Sequence, residues 1–218
     1  MRPAQFTFSA ADRDGIAVAQ TTAGATALLL NGALALPAQP WNSGPVGFMG
    51  AGINRTGSLY STGNLNGINF TWVGLDANNA AVTEVLAGPN NTTVYTVNSY
   101  NTILSVTPNA AVGTAVEVGS GTTGATNWYA LDYFQSPISL GLWLKIANTI
   151  NVTVQLTPDS FLQTTTAPAT FNHANLTSIT ADAASELPYG ARGARMLVNS
   201  STNGSAVFTI VQAGGYAG

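Results

Sequence analysis

His173, in Phe171-Asn-His-Ala-Asn, is the only imidazole among 218 residues. A Ser–His–Asp relay would have to pass through it, yet the chain has no Gly-x-Ser-x-Gly elbow to present a serine. One imidazole cannot build a His-rich metal centre either. A hydrogen-bonded loop histidine is the expectation. Gly119-x-Gly121-x-x-Gly124 has the spacing of a dinucleotide-binding loop. That chemistry needs a following helix whose first N–H groups meet the pyrophosphate. Ala125-Thr-Asn-Trp-Tyr follows instead, without helical period, and no acidic residue stands about 20 positions further on. The glycines read as a flexible loop or linker.

Asp76-x-Asn78 with Glu84 offers oxygen donors of the kind calcium takes. A full calcium loop needs Gly at its sixth place and Glu at its twelfth. Here those places hold Ala81 and Ala87. A hairpin turn explains Asp76 to Asn79 better, with Glu84 on the outer face of a strand. The acids are scattered and supply no evident pair for glycoside hydrolysis. Arg192 and Arg195 are expected to pair with Asp182 or Glu186, an exposed interaction worth about 0–1 kcal/mol. The residues therefore predict no enzyme, no catalytic group, no cofactor and no metal site. Aromatic rings remain. Trp72 and Trp143 lie in alternating strands and are expected in the core. Trp41 and Trp128 lie in irregular stretches and are the candidates for a surface platform, for sugar or protein.

Charge is scarce. Nine acidic and six basic side chains make up 7% of the chain, where a soluble domain carries about 25%. Thr, Asn, Ser and Gly must cover the surface instead. Such a surface suits hydrogen-bonded sheets packed against neighbouring chains, because interface cores are depleted of charge. Net charge is −3, so there is no basic field for nucleic acid. Without Cys there is no disulfide framework. The most apolar stretch, Ile16 to Leu36, is broken by Gln20, Thr21, Thr22, Gly24, Thr26, Asn31 and Gly32, so no membrane span is expected. The N-terminus, Met-Arg-Pro-Ala-Gln, does not read as a secretory signal, and synthesis in a cytoplasm is the expectation.

Elements of period two must hold these residues in place. Ile68, Phe70 and Trp72 share one face of a strand, the turn formers of Gly74-Leu-Asp-Ala-Asn-Asn follow, and Ala81 to Leu86 resumes the alternation as a hairpin. Thr92 to Val97, Thr102 to Val106 and Thr114 to Val118 continue the series. Beyond the glycines, Leu140, Leu142, Leu144 and Ile146 line one strand face, and Val152, Val154 and Leu156 line one face of the next. Arg195 to Asn199 and Ala206 to Val211 flank Ser200-Ser-Thr-Asn-Gly-Ser as a second hairpin. Helical signal is confined to Ala181–Glu186, ended by Pro188, and to Ala25–Leu36, limited by Gly32 and Pro37. The expected fold class is all-β: a β-sandwich, or two small β-sandwich or jelly-roll-like subdomains with little helix. The expected division is 1–50 as an N-terminal arm and irregular segment, 51–124 as a first β-rich half and 125–218 as a second, with one continuous domain as the alternative.

In the first fifty residues Phe6 and Phe8 alternate like a strand. Three prolines, Pro37, Pro40 and Pro45, predict irregular structure around Trp41 and Phe48. This stretch reads either as an arm lying on a partner's sheet or as an edge strand followed by a loop. Phe6, Phe8, Leu28, Leu30, Trp41 and Phe48 are its candidates for contact between subunits.

The series Gly67-Ile-Asn-Phe-Thr-Trp-Val-Gly-Leu-Asp-Ala-Asn-Asn-Ala-Ala-Val-Thr-Glu-Val-Leu-Ala-Gly-Pro-Asn, followed by Tyr100-Asn-Thr-Ile-Leu-Ser-Val, resembles a pattern common in tailed-bacteriophage virion proteins. Asn79 stands where those have Gly, and Tyr100 where they have Phe. Trp128-Tyr-Ala-Leu-Asp, Asn151-Val-Thr-Val-Gln-Leu-Thr-Pro-Asp, Phe171-Asn-His and Arg192-Gly-Ala-Arg-Met-Leu-Val-Asn-Ser extend the likeness over about residues 65 to 215. The resemblance implies a structural component of the particle, first a capsid decoration (cement) protein. Such a protein sits on the capsid exterior of the virion as a homotrimer, bound to the major capsid protein, and is made in the cytoplasm of the bacterial host. A neck or tail component, connector or tail-tube ring, is the alternative it implies. A carbohydrate-binding host-recognition module through Trp41 or Trp128 is a third.

Overall fold

The computed structural model describes residues 3–132, 140–161, 167–187 and 190–212. Seventeen strands, and no helix, occur among them. In chain order they begin with β1 (Ala4–Phe8), β2 (Ala17–Thr22), β3 (Ala35–Leu36), β4 (Val46–Phe48), β5 (Ile53–Asn64) and β6 (Asn69–Leu75). Then come β7 (Ala81–Ala87), β8 (Asn90–Tyr100), β9 (Thr102–Pro108), β10 (Val112–Thr126), β11 (Tyr129–Ala130) and β12 (Leu140–Ala147). The last are β13 (Ile150–Thr157), β14 (Phe171–Asn172), β15 (Ala183–Glu186), β16 (Gly193–Ser201) and β17 (Ser205–Gln212). The strands pair antiparallel, as in β1 with β17, β12 with β17, β13 with β16, β5 with β8 and β6 with both β7 and β9. The fold is all-β and sandwich-like.

The chain divides into two compact units, Ala11–Gly124 and Met1–Ala10 with Ala125–Gly218. Residues 1–50 are shared between them: β1 belongs to the second unit, β2 to β4 to the first.

In the Ala11–Gly124 unit, one sheet runs in the order β3-β4-β9-β6-β7. A second group orders β10-β5-β8, with β2 against β10. Phe70 and Trp72 alternate inward from β6, as period two requires. They join Tyr100, Ile103, Val106, Leu59, Val116 and Val118 in one core. Leu28 and Leu30 belong to that core too. They lie in an extended segment rather than a helix, with Leu28 N–H bonded to Val106 O at 2.9 Å. The β6–β7 hairpin sets Trp72 opposite Glu84. Its turn closes with Asn79 at φ 63°, a left-handed conformation that Asn tolerates.

In the other unit, β1-β17-β12-β15 form one sheet, and β13 is flanked by β14 and β16, with β11 on β16. Leu140, Leu142, Leu144, Phe208 and Ile210 of the first sheet are buried, as are Val152, Val154, Leu156, Met196 and Val198 of the second. The connections β12–β13 and β16–β17 each pass from one sheet to the other. The expected hairpin over Arg195–Val211 is therefore two strands in different sheets, each with another partner. The turn itself is present, closed by Ser201 Oγ–H to Gly204 O at 3.0 Å.

Three further expectations are corrected. Gly119 to Gly124 is buried or half-buried strand within β10, not a loop. The backbone of Asp12 and Arg13 crosses it so closely that a Cβ at Gly119 would strike their carbonyl oxygens, and one at Gly121 would strike Thr56. Glycine is there for close approach, not for flexibility. Ala183–Glu186 is a strand paired with β12, so its side chains alternate between half-buried and exposed where a helical turn was expected; Pro188 lies outside the described residues. Trp143 is 56% exposed. Leu140, Leu142 and Leu144 take the buried face of β12, and parity sends Trp143 and Lys145 to the other.

Candidate interaction surface

The residues with chemical potential are already committed to the fold. His173 is buried. Its Nδ1 accepts from Asn175 N–H at 3.3 Å, which leaves Nε2–H to donate to Glu186 O at 3.3 Å. Asp76 Oδ1 accepts from Asn78 N–H and Ala80 N–H, both at 2.8 Å, and so caps the hairpin turn. No group of three His, Cys, Asp or Glu with metal-binding spacing occurs among the described residues.

Arg195 does not pair as expected. Arg195 lies over the Trp128 ring at 4.5 Å and donates from Nε to Gln155 Oε1 at 2.9 Å. Burial lowers its pKa. Asp182, its expected partner, accepts from Ile146 N–H at 2.7 Å. Trp128 also contacts Phe161, centroid to centroid at 5.8 Å. Its ring is half-buried and engaged rather than a free platform. Arg55, which the sequence did not single out, is buried on β5 and donates from Nε to Gly121 O at 2.6 Å. Desolvation lowers its pKa to about 10, against the pull of Asp12. Arg13 forms an ion pair with Glu117 at 2.5 Å and also lies over the Tyr60 ring at 4.1 Å.

The six proposed contact residues fall into two groups. Phe8, Leu28 and Leu30 are buried within the chain's own units. Phe6 is half-buried, edge-on to Tyr129 at 6.3 Å, and Phe48 is half-buried on β4. β1 adds to the chain's own sheet, Ala4 opposite Ile210 and Phe8 opposite Ala206. Trp41 alone of the six is exposed, at 59%. It stands at the tip of a two-residue turn. Gln39 N–H donates to Asn42 O at 3.0 Å, and Asn42 N–H returns to Gln39 O at 2.9 Å. Pro40 pre-sets the turn's first φ.

Further exposed apolar side chains were not foreseen. Val97 is 88% exposed and Val85 63%, and Tyr95 is exposed beside Val97 on the same strand. Val97 rides a bulge: Thr56 pairs with Ser99 but Ser58 with Tyr95, so β8 carries extra residues there. The bulge is held from β7. Glu84 Oε1 accepts from Val97 N–H at 2.7 Å and Oε2 from Asn98 N–H at 2.8 Å. Thr96 Oγ–H donates to Asn98 O at 2.8 Å. The available signal was that Val94, Tyr95 and Val97 are apolar at both parities, so one face of β8 had to leave large side chains outside.

No family model and no curated protein matches the chain. A solved structure described as "Structure of allantoicase" is similar over 94% of this chain and 89% of its own, at 8% identity and a TM-score of 0.28. A likeness that distant carries no argument about fold or activity.

Proposed function

We propose that the chain is a structural component of a tailed-bacteriophage particle, and specifically a decoration (cement) protein. In this reading it binds the outer shell as a homotrimer and bridges neighbouring copies of the major capsid protein. No enzymatic step belongs to it. The observation that carries the reading is the pairing of scarce charge, 7% of residues, with large apolar side chains held outward on rigid strands and turns, Trp41, Val85 and Val97. A surface of that kind loses little by leaving water against a similar surface. Interfaces of roughly 800 Å² per partner, repeated over a shell, add up to strong resistance to internal pressure. The phage setting itself rests on the sequence resemblance.

Quantitative mass spectrometry of purified particles tests this. Hundreds of copies per particle are expected, lost together with shell stability when the gene is removed. About a dozen copies would place the chain in the neck or tail instead, and none would end the reading. The exposed ring of Trp41 supports a second reading, recognition of host carbohydrate. Binding on a glycan array that disappears in Trp41→Ala would favour it.

A further inference from the structure

We infer that the outer face of β14, β13 and β16 is a receptor for one acidic side chain, Asp or Glu, of a partner protein, with the Arg195 guanidinium at its centre. The register sets a single row across that face. Asn172 on β14 stands opposite Gln155 on β13, and Gln155 stands opposite Arg195 on β16. Their strand neighbours Val154, Leu156 and Met196 take the other face and are buried. Trp128 closes the row, its ring centroid 4.5 Å from Arg195 Cζ.

A guanidinium can only donate, and that orients the amides beside it. Arg195 Nε–H donates to Gln155 Oε1 at 2.9 Å. Gln155 therefore turns its nitrogen away, and Nε2–H donates to Asn172 Oδ1 at 3.3 Å. Asn172 in turn presents Nδ2. Both side-chain carbonyls of the row are engaged, and the groups left over are all N–H: the two Nη of Arg195, the second hydrogen of Gln155 Nε2 and both on Asn172 Nδ2. Among the described residues none of these meets an acceptor. Trp128 covers a face of the guanidinium, whereas the Nη–H groups lie in its plane and point past the ring.

A row of donors around one positive charge selects a group that only accepts and carries one negative charge. A carboxylate does both, and its two oxygens match the planar fork. A sugar does not, because every hydroxyl brings a donor and the row has no free carbonyl to receive it. A phosphate brings about −1.5 to −2 charges, more than one guanidinium offsets. The chain does not fill the site itself. Asp182 is turned to Ile146 N–H. Burial lowers the pKa of Arg195, with no neighbouring carboxylate to raise it. The half-buried cation is thus uncompensated, and an acidic side chain recovers part of what its burial costs. Gln155 and Trp128 hold it in place beforehand, so little order is lost on binding.

The inference deepens the decoration reading by naming the side chain its protein partner presents, and rests on that reading for the partner's being a protein; its test needs no shell. Isotope-labelled full chain is titrated with the peptide acetyl-Gly-Glu-Gly-amide, and the side-chain N–H resonances of Arg195, Gln155 and Asn172 are followed by NMR. They should shift together and saturate with a millimolar dissociation constant. Acetyl-Gly-Gln-Gly-amide, of the same shape without the charge, should give no saturable shift. Arg195→Lys, which keeps the charge and loses the fork, should bind about tenfold more weakly, read at Asn172. Asn172→Leu, an exposed position that leaves Arg195 on Trp128, should bind at least about threefold more weakly, read at Arg195. Circular dichroism checks that each variant is folded. An acidic peptide that never saturates, a Gln peptide that binds as well, or folded variants that bind as the wild type does overturn the inference. So does tighter binding of D-glucuronate or inorganic phosphate, which would make the site one for a sugar acid or a phosphate. A chain that passes this titration yet is absent from purified particles ends the decoration reading and leaves the carboxylate site. Hundreds of copies per particle of a chain that fails it do the reverse.

Discussion

Gly57 lies against the core with no room for a side chain. A Cβ there would overlap the rim of the Trp72 ring, and Trp72 is fully buried against Tyr100, ring centroids 6.1 Å apart. The ring has nowhere to go, so Gly57→Ala should destabilise the chain by about 1–3 kcal/mol in urea titration. Asp12 is sensitive in another way. Partial burial raises its pKa above the ordinary 3.8, and neighbouring Asp14 raises it further. A carboxyl whose folded pKa exceeds its unfolded one holds its proton more tightly in the folded chain. Ionising it as pH rises through that folded value costs stability, and lowering the pH recovers it. Asp12→Asn should remove this loss, so that just above the ordinary value the variant's midpoint falls less, or rises more, with pH than the wild type's. A variant whose midpoint falls more over that window would contradict the assigned sign.

At the scale of the element, parity decides the fate of a side chain. Trp72 and Trp143 look alike in sequence, each inside an alternating strand. Trp72 shares the face of Ile68 and Phe70 and is buried; Trp143 opposes the face of Leu142 and Leu144 and is exposed. Trp72→Ala should therefore cost about 3–5 kcal/mol, while Trp143→Ala should stay within about 0.5 kcal/mol. Equal losses in parallel thermal melts would refute the strand register. The β6–β7 hairpin was legible because its turn chemistry is local: Asp76 caps it and Asn79 takes the positive φ. The Val97 bulge was not, because a bulge is a mismatch between two strands and neither strand announces it alone.

For the whole molecule, few charges mean little electrostatic support. The Arg13–Glu117 ion pair leaves Arg13 more than half exposed. Raising NaCl to about 1 M, where screening acts within about 3 Å, should shift stability by less than about 0.5 kcal/mol. A large loss in chemical denaturation would mean that charge matters more than its scarcity suggests.

What the residues determined by themselves was the class and the inward faces. Period two, β-branched and aromatic runs, and turn formers act over a few neighbours, so all-β character and the burial of Phe70, Trp72, Leu142 and Val154 could be read along the chain. Only the tertiary structure decided which strands pair. It sent β16 and β17 to different sheets, laid the backbone of Asp12 and Arg13 over Gly119, and left Trp41 and Val97 exposed. Those outcomes depend on partners distant in sequence, and hydrogen bonding between remote strands leaves no periodic trace in either one.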